Sequence, residues 1–286
     1  MPTRFPALCY LALVALGITP FSGAAGEATS VSDCALQLAI PSPATAQTLP
    51  SPLRITTWNS MKFGRDGAPL VLTALAAESD LLLLQESLRD AAPATEHPYR
   101  LFADGYQTGA TQTGVETRSS VAADVSCSLR FMEPWLRTPK AVSVGRFPIE
   151  GPAPLLVINL HAVNFTLGIA EYTAQFAAVG DLLDQHTGPA IIAGDFNNWS
   201  EQRQEVLREF ATQYALQAIE ITPDLRSLHL GVPVDGIYLR GLHSATASAF
   251  PTVTSDHHPI SAVVQLAPDP PAASTLAQES APAAVP

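Results

Sequence analysis

Residues 53–266 are predicted to form an α/β fold, on three features of the sequence. Apolar, strand-like runs alternate with segments of helical spacing. Several of those runs, "DLLLLQE" (80–86), "PLLVINL" (154–160) and "PAIIAGD" (189–195), are almost continuously apolar, as strands buried on both faces are. Each run also closes on side chains rich in oxygen and nitrogen, among them Glu86, His161 and Asp195.

In chain order, residues 1–25 read as an export signal. Arg4 gives a short positive start, 7–18 is apolar, and small residues follow at 22–25. The apolar stretch is shorter than the ~20 residues of a membrane span. Cleavage near Ala24 or Ala25 is expected, with an uncleaved anchor as the alternative. Residues 26–52, rich in Ala, Ser, Thr and Pro, read as a linker. "LRITTWNS" (53–60) alternates and predicts a strand, 68–78 a helix and 80–86 a strand. The Gly/Thr-rich stretch 100–147 predicts short antiparallel strands. A strand follows at 154–165, then a helix at 170–186 with Tyr172, Phe176, Val179, Leu182 and Leu183 at helical spacing. Residues 189–195 read as a strand, 200–211 as a polar-faced helix and 232–241 as a strand. "SDHHPISAVVQL" (255–266) reads as a loop feeding a last strand. Residues 267–286 have the composition of a disordered tail. No internal repeat or second linker splits the block 53–266, which is read as one domain.

Composition narrows the function. The 286-residue chain is 47% hydrophobic and carries a formal charge of −11. Its only lysines are Lys62 and Lys140. A broad electrostatic grip on nucleic acid needs clustered Lys and Arg, and none is visible. A phosphate ester is still admissible, because a bound divalent cation supplies positive charge locally. Of the cysteines, Cys9 lies in the signal, while Cys34 and Cys127 form an even pair for an oxidising compartment and are expected to be disulfide-bonded. Neither has the spacing of a zinc site.

The polar strand ends carry the chemistry. They are Asn59, Gln85–Glu86, His161 with Asn164, Asp195 with Asn197, and Asp256–His257 ahead of the last strand. Each alone has a bland explanation: a turn former, a solvated strand end, a satisfied core histidine. Together, without a Ser or Cys nucleophile motif, they favour a hard-cation site built from oxygen ligands at the carboxyl ends of strands.

The pieces "TTWNS", "LLQES", "INLHAVNF", "AGDFNNW", "VDGIY" and "SDHHP", in that order, resemble the endonuclease/exonuclease/phosphatase superfamily, the group of DNase I, exonuclease III and the neutral sphingomyelinases. "LRTPKA", "LHAVNFTLG", "AGDFNNWSE", "YLRGL" and "SDHHPI" are most similar to its YafD-like bacterial proteins. The resemblance implies a DNase I-like four-layer sandwich, two packed mixed β-sheets flanked by helices. It also implies Glu86 as the principal Mg²⁺ ligand, with Asn59 and Asp256 beside it and Mn²⁺ as a substitute. Asp195 becomes the general base or water-positioner, and Asn197 orients it or the phosphate. His257 acts on the phosphoryl oxygen or leaving group, its tautomer fixed by Asp235, and His161 is a phosphate contact or acid. Asn164 stands where other branches often carry an acidic residue, and Gly236 where YafD-like proteins often have His.

Other candidates read as structural. His258 adjoins His257 but points the other way on an extended chain. His97, His186, His229 and His243 have no motif support. Trp199 is expected to pack under the helix at 200–211, with capping of the pocket as the alternative, and Arg130, Arg137 and Lys140 to lie on a solvated face, with a phosphate groove as the alternative. The insert 104–120 has neither a basic or aromatic strip for DNA nor a long hydrophobic hairpin for membranes. The leading expectation is an exported, periplasmic or secreted Mg²⁺-dependent phosphoesterase of nuclease-like or phosphodiesterase type. The alternatives are a phospholipid or sugar-phosphate phosphatase and a non-catalytic binding module. The expected partner is a phosphate ester, nucleic acid or phospholipid among them. No obligate protein partner is evident, and a monomer is expected.

Overall fold

The computed structural model describes residues 28–267. The export signal read at 1–25 and the tail from residue 268 onward lie outside the described residues. Fourteen strands and four helices follow one another as α1 (Val31–Leu38), β1 (Leu53–Asn59), α2 (Ala68–Ala77), β2 (Leu81–Leu88), β3 (Tyr99–Thr108), β4 (Thr111–Ser119), β5 (Val125–Met132), β6 (Pro139–Phe147), β7 (Leu155–His161), α3 (Ala170–Leu183), β8 (Ala190–Asp195), α4 (Glu201–Gln213), β9 (Gln217–Ala218), β10 (Leu228–His229), β11 (Val232–Pro233), β12 (Asp235–Arg240), β13 (Leu242–Ala249) and β14 (Ile260–Leu266). Twelve strands build two six-stranded sheets, ordered β13-β14-β1-β2-β4-β3 and β5-β6-β7-β8-β12-β9, while β10 and β11 form a small separate hairpin. Both large sheets are mixed. β1 runs parallel to β2, and β7 runs parallel to β8. Their other pairings are antiparallel.

The continuous apolar runs are explained by two buried faces. In β2, Leu81 and Leu83 point between the sheets, while Leu82 and Leu84 pack with Leu72 and Leu75 of α2. In β7, Leu155 and Val157 face the inner layer, and Leu156, Ile158 and Leu160 face α3 and α4. Alternate residues point to opposite faces of a strand, so a strand covered on both sides needs no polar phase. Each fully buried Leu or Ile contributes roughly 1.5–3 kcal/mol relative to exposure. This pattern yields the four layers that the resemblance implies.

Three boundaries differ from expectation. The stretch read as a linker is, from residue 28, packed on the fold. α1 is capped by Ser30, whose Oγ accepts from Asp33 N at 3.1 Å, and it buries Cys34 and Leu38. Cys34 is disulfide-bonded to Cys127 on β5, and Arg146 donates to the carbonyls of Leu38 and Ile40 at 2.9 and 2.6 Å. A high content of small and Pro residues hid an element of only eight residues. The strand read at 232–241 is broken after Pro233, and the one at 154–165 ends at His161. β13, an antiparallel partner of β14, went unpredicted because its Thr/Ser/Ala-rich sequence lacks strong alternation.

Candidate active site

The inner layer turns from apolar to polar at one rim. Asn59 continues the inward-facing phase of Ile55, His161 that of Leu155 and Val157, Asp195 that of Ile191 and Ala193, and Asp235 that of Ile237 and Leu239. Strand pairing then sets them side by side: His161 is opposite Asp195, and Asp195 opposite Asp235. One step deeper, Gln85 donates to Asn159 Oδ1 at 2.6 Å and to Thr57 Oγ1 at 3.1 Å, joining the sheets beneath the site. Gly194 makes this approach feasible. Its φ is +139°, and a Cβ there would meet Leu160 O at 2.0 Å.

Glu86 breaks the phase rule. The β2–β4 register shifts between Leu84 and Ser87, and Glu86 has φ +50°. A bulge re-aims a side chain, and Glu86 accordingly lines a small cavity between the sheets together with Lys140 and His161. Its carboxylate pairs with Lys62, which lies in a left-handed turn, Met61–Phe63, with φ between 49° and 62°. Three consecutive left-handed residues are costly for L-amino acids, and such strain gathers at functional sites.

Asp195 is the hub. Its Oδ1 accepts from Asn197 N at 3.0 Å and its Oδ2 from Asn59 Nδ2 at 3.1 Å. His161 Nε2 lies 3.4 Å and His257 Nε2 3.9 Å from Oδ2. His257 Nδ1 is hydrogen-bonded to Asp235 Oδ2 at 2.7 Å. The His257 backbone is pinned by Trp58 Nε1, which donates to its carbonyl at 3.0 Å. Asn197 (φ +45°) donates from Nδ2 to Ala162 O at 3.0 Å. Asp256 is exposed, and its Oδ1 lies 3.5 Å from Ser255 Oγ, which itself donates to Asn59 O at 2.7 Å. Thus Asn59, His161, Asp195, Asn197, Asp235 and His257 form one buried cluster. Glu86 adjoins it through the His161 cavity, and Asp256 follows at the solvent edge.

Burial and charge set the protonation. Burial works against a charged His257, yet the carboxylates of Asp235 and Asp195 outweigh it and push its pKa up to about 10. Burial likewise raises Asp195, the positive His257 partly opposing it. His161 is held well below the usual histidine range by burial, then by the charges of Lys140 and His257. Its tautomer follows from one contact. Lys140 Nζ lies 2.7 Å from His161 Nε2, and an ammonium only donates. Nε2 therefore presents a lone pair, and His161 is neutral. Burial disfavours the charge of Lys62, but the hydrogen bond and charge of Glu86 hold its pKa above the ordinary value.

Other residues around the site take their places through contacts distant in the chain. Lys140, expected on a solvated face, is buried. His229 stacks on His257 with ring centroids 4.5 Å apart. Arg203, buried on α4, donates to Val163 O, Asn197 O and Asn164 O at 2.7, 2.9 and 2.8 Å and so fixes two site loops. Glu133 accepts from Asn164 N and Phe165 N at 2.6 and 3.2 Å. Trp199 packs as expected, its Nε1 donating to Asn164 Oδ1 at 2.8 Å and its ring facing Arg203. His258 is structural, its Nδ1 on Leu225 O at 2.6 Å.

The donor set suits a hard divalent cation. Asp195, Asp235 and His257 offer candidate ligand atoms that all lie within 4.8 Å of one another, but a protonated His257 has no lone pair to give, so the carboxylates are the members of that group able to hold a metal. Asp235 Oδ1 is buried without a hydrogen-bond partner, and Glu86, Asn59 and Asp256 add oxygen donors at the same rim.

Comparison with known proteins agrees with this architecture. Residues 56–257 match the Endonuclease/Exonuclease/phosphatase family. A UPF0294 protein of Yersinia pseudotuberculosis is 39% identical over 217 residues, covering 73% of this chain and 82% of the relative. The fold is similar to that of an endonuclease/exonuclease/phosphatase from Beutenbergia cavernae, with a TM-score of 0.57 and 14% identity over 77% of this chain and 73% of the other. A mannosyl-6-phosphatase of Bacteroides thetaiotaomicron superposes with a TM-score of 0.55 and 15% identity, covering 74% of this chain and 99% of that one.

Proposed function

The chain belongs to the endonuclease/exonuclease/phosphatase family, and from that premise we propose that it is an exported, divalent-metal-dependent phosphoesterase that hydrolyses a phosphodiester with an activated water. One observation carries the reading: an imidazolium and a carboxylate with raised pKa face each other, His257 Nε2 to Asp195 Oδ2, across 3.9 Å. That distance is too long for a hydrogen bond and lets a substrate oxygen approach both groups.

Asp195 accepts a proton from the attacking water as the new P–O bond forms, and burial makes it a better base than an exposed aspartate. Asn59 and Asn197 hold its carboxylate in position. His257 donates its Nε2 proton to the leaving oxygen as the old P–O bond breaks. Asp235 keeps that imidazole protonated and oriented. His161 is neutral and turns its Nε2 lone pair to Lys140, so it positions the lysine ammonium beside the phosphate instead of supplying a proton. Glu86, Asn59 and Asp256 would hold Mg²⁺, or Mn²⁺ in its place, and the cation would neutralise charge developing on the phosphoryl oxygens. Export is supported by the N-terminal sequence pattern and by the Cys34–Cys127 disulfide, a bond favoured in oxidising compartments.

The test is turnover of bis-p-nitrophenyl phosphate and p-nitrophenyl phosphate with Mg²⁺ and with EDTA. Hydrolysis of the diester that EDTA abolishes is expected. Turnover indifferent to EDTA would remove the metal, and no turnover of either ester would favour the binding-module reading.

A further inference from the structure

The apolar side chains left exposed are not spread evenly. Among the described residues fourteen large hydrophobic side chains are exposed, and the ten from Met132 to Val253 all belong to segments at the rim that carries the site. The placement follows from strand direction. β7 and β8 end at this rim, and β6, β12 and β14, which pair antiparallel to β7, β8 and β1, begin there. The β5–β6 hairpin tip carries Trp135 and Leu136, and the loop after β7 carries Phe165 and Leu167. The β10–β11 hairpin carries Leu228 and Leu230, and the segment before β14 carries Val253. In the sheet order, β5–β6 lies on one side of the site strands β7 and β8, and the segment before β12 on the other.

These loops are fastened to the catalytic cluster. Glu133 ties the β5–β6 tip to the loop after β7 through Asn164 N and Phe165 N. His229 stacks on His257 and sits between the exposed Leu228 and Leu230. Leu230 is 83% exposed and has φ +50°, an unfavourable conformation for a bulky residue. The fold thus holds an apolar side chain out in solvent at a backbone cost, which a purely structural turn does not call for.

We infer that this apolar crown seats the protein on a lipid surface, and that the phosphodiester it takes is borne by a phospholipid headgroup. The inference rests on the phosphoesterase reading and names its substrate class. Concentrated apolar surface marks an interaction site, and Trp, Phe and Leu are the side chains that enter a membrane interface. What covers the crown must also leave the site at its centre able to receive a phosphate. A bilayer does both, because its headgroup phosphates lie just above the apolar layer that the crown would enter. A folded protein laid across four loops would close the site. Charge argues the same way against nucleic acid. The chain carries −11, with 26 Asp and Glu against 15 Lys and Arg. The sequence offered no hydrophobic hairpin at 104–120; the apolar surface instead comes from four loops far apart in the chain.

Trp135 is the reporter. It is 66% exposed, whereas Trp58 is buried and Trp199 half-buried. On addition of dioleoylphosphatidylcholine vesicles, Trp emission is expected to shift to the blue and to be quenched by brominated acyl chains, and Trp135→Phe should abolish the response. The combined variant Leu136→Ser, Phe165→Ser and Leu230→Ser, with Trp135 kept, should weaken partition at least about tenfold while its rate on bis-p-nitrophenyl phosphate stays at the parent level. Phospholipid in the same phosphatidylcholine vesicles should be cleaved at least about tenfold faster than its short-chain monomeric analogue. Absence of quenching, unchanged partition of the variant, or indifference to the vesicle form would overturn the inference. So would a dimer in sedimentation that the same three substitutions dissolve, since that would assign the crown to a second copy. Failure on the soluble diester alone would count against the phosphoesterase reading and leave the vesicle arm standing.

Discussion

Replacing Asp235 by Asn should remove the acid of the site without removing its shape. In the native protein His257 Nδ1 lies 2.7 Å from Asp235 Oδ2, and that carboxylate, with Asp195, overcomes burial to push the imidazole from 6.5 up to about 10. With Asp235 neutral, both its charge and its charge-assisted hydrogen bond are lost, and burial, the largest single influence, is opposed only by Asp195 and the exposed Asp256. A return to 6.5 or below is a fall of at least about three units, roughly 4 kcal/mol at about 1.4 kcal/mol per unit. A His257 that stayed charged would bear the roughly 3–5 kcal/mol cost of stranding one member of a buried ion pair, whereas deprotonation above its new pKa costs little. Releasing the proton is therefore the cheaper escape, and the fold should survive with His257 neutral. At about pH 7.5 the protonated fraction would drop from nearly all to about one tenth or less. General acid catalysis is typically worth about 10²–10⁴-fold, so kcat on bis-p-nitrophenyl phosphate should fall within that range. The decisive readout is the alkaline limb of the pH–rate profile, near pH 10 in the parent and below about pH 7 in the variant, alongside a histidine NMR titration. The linkage sign agrees: a raised pKa stabilises the folded state fully below the unfolded value near 6.5, and that stability is lost as pH climbs through about 10. An alkaline limb unmoved in Asp235→Asn, or an imidazole still titrating near 10, would refute the assignment.

Four further outcomes follow from the same geometry. Asp195→Asn should cut kcat by about 10²–10⁴-fold with the circular dichroism spectrum unchanged; near-parent turnover would deny Asp195 its role as base. Glu86→Gln should raise the Mg²⁺ concentration for half-maximal binding by at least about tenfold, measured calorimetrically, since weakening a metal's ligand shell has costs of this order. If Asp235→Asn has that effect and Glu86→Gln does not, the cation belongs to the Asp195 and Asp235 carboxylates. Lys140→Met should move the His161 titration upward, because the lysine charge is, after burial, the largest influence holding it down; an unmoved signal would break that pairing. Cys34→Ser should lower the guanidinium midpoint, a bridge across 93 residues being worth about 4–5 kcal/mol in a chain-entropy account. An unchanged midpoint would show that α1 needs no staple.

The legible part of the site was local. Asn59, His161 and Asp195 close strand-like runs visible in the sequence and Asp235 is marked by the "VDGIY" motif, whereas their shared parity with the inner apolar rows emerges only from the fold. The helices over 170–186 and 200–211 were legible for the same reason, their spacing being local. What escaped depended on contacts far apart in the chain. Lys140 reads as one more surface cation until β6 pairs with β7 and brings it beside His161. His229 gains meaning only when its hairpin folds over His257. The segment at 28–52 looks like a linker because its hold on the fold is a disulfide, one buried arginine and two short bridges, none of which leaves a periodic trace.

Glu86 shows why motif and phase must be read together. Phase alone points it outward, with Leu82 and Leu84, toward α2. The "LLQES" motif marked it as a ligand but could not say how it reaches the rim. The bulge between Leu84 and Ser87 and the left-handed backbone of Glu86 resolve the conflict. A side chain in the wrong phase is turned into the interlayer space at a local cost of order 1–3 kcal/mol. Selection for stability alone would remove such a cost with a glycine, which adopts that backbone freely. A carboxylate kept at this position, against backbone preference and beside a second left-handed turn that presents Lys62 to it, is best explained by what it holds.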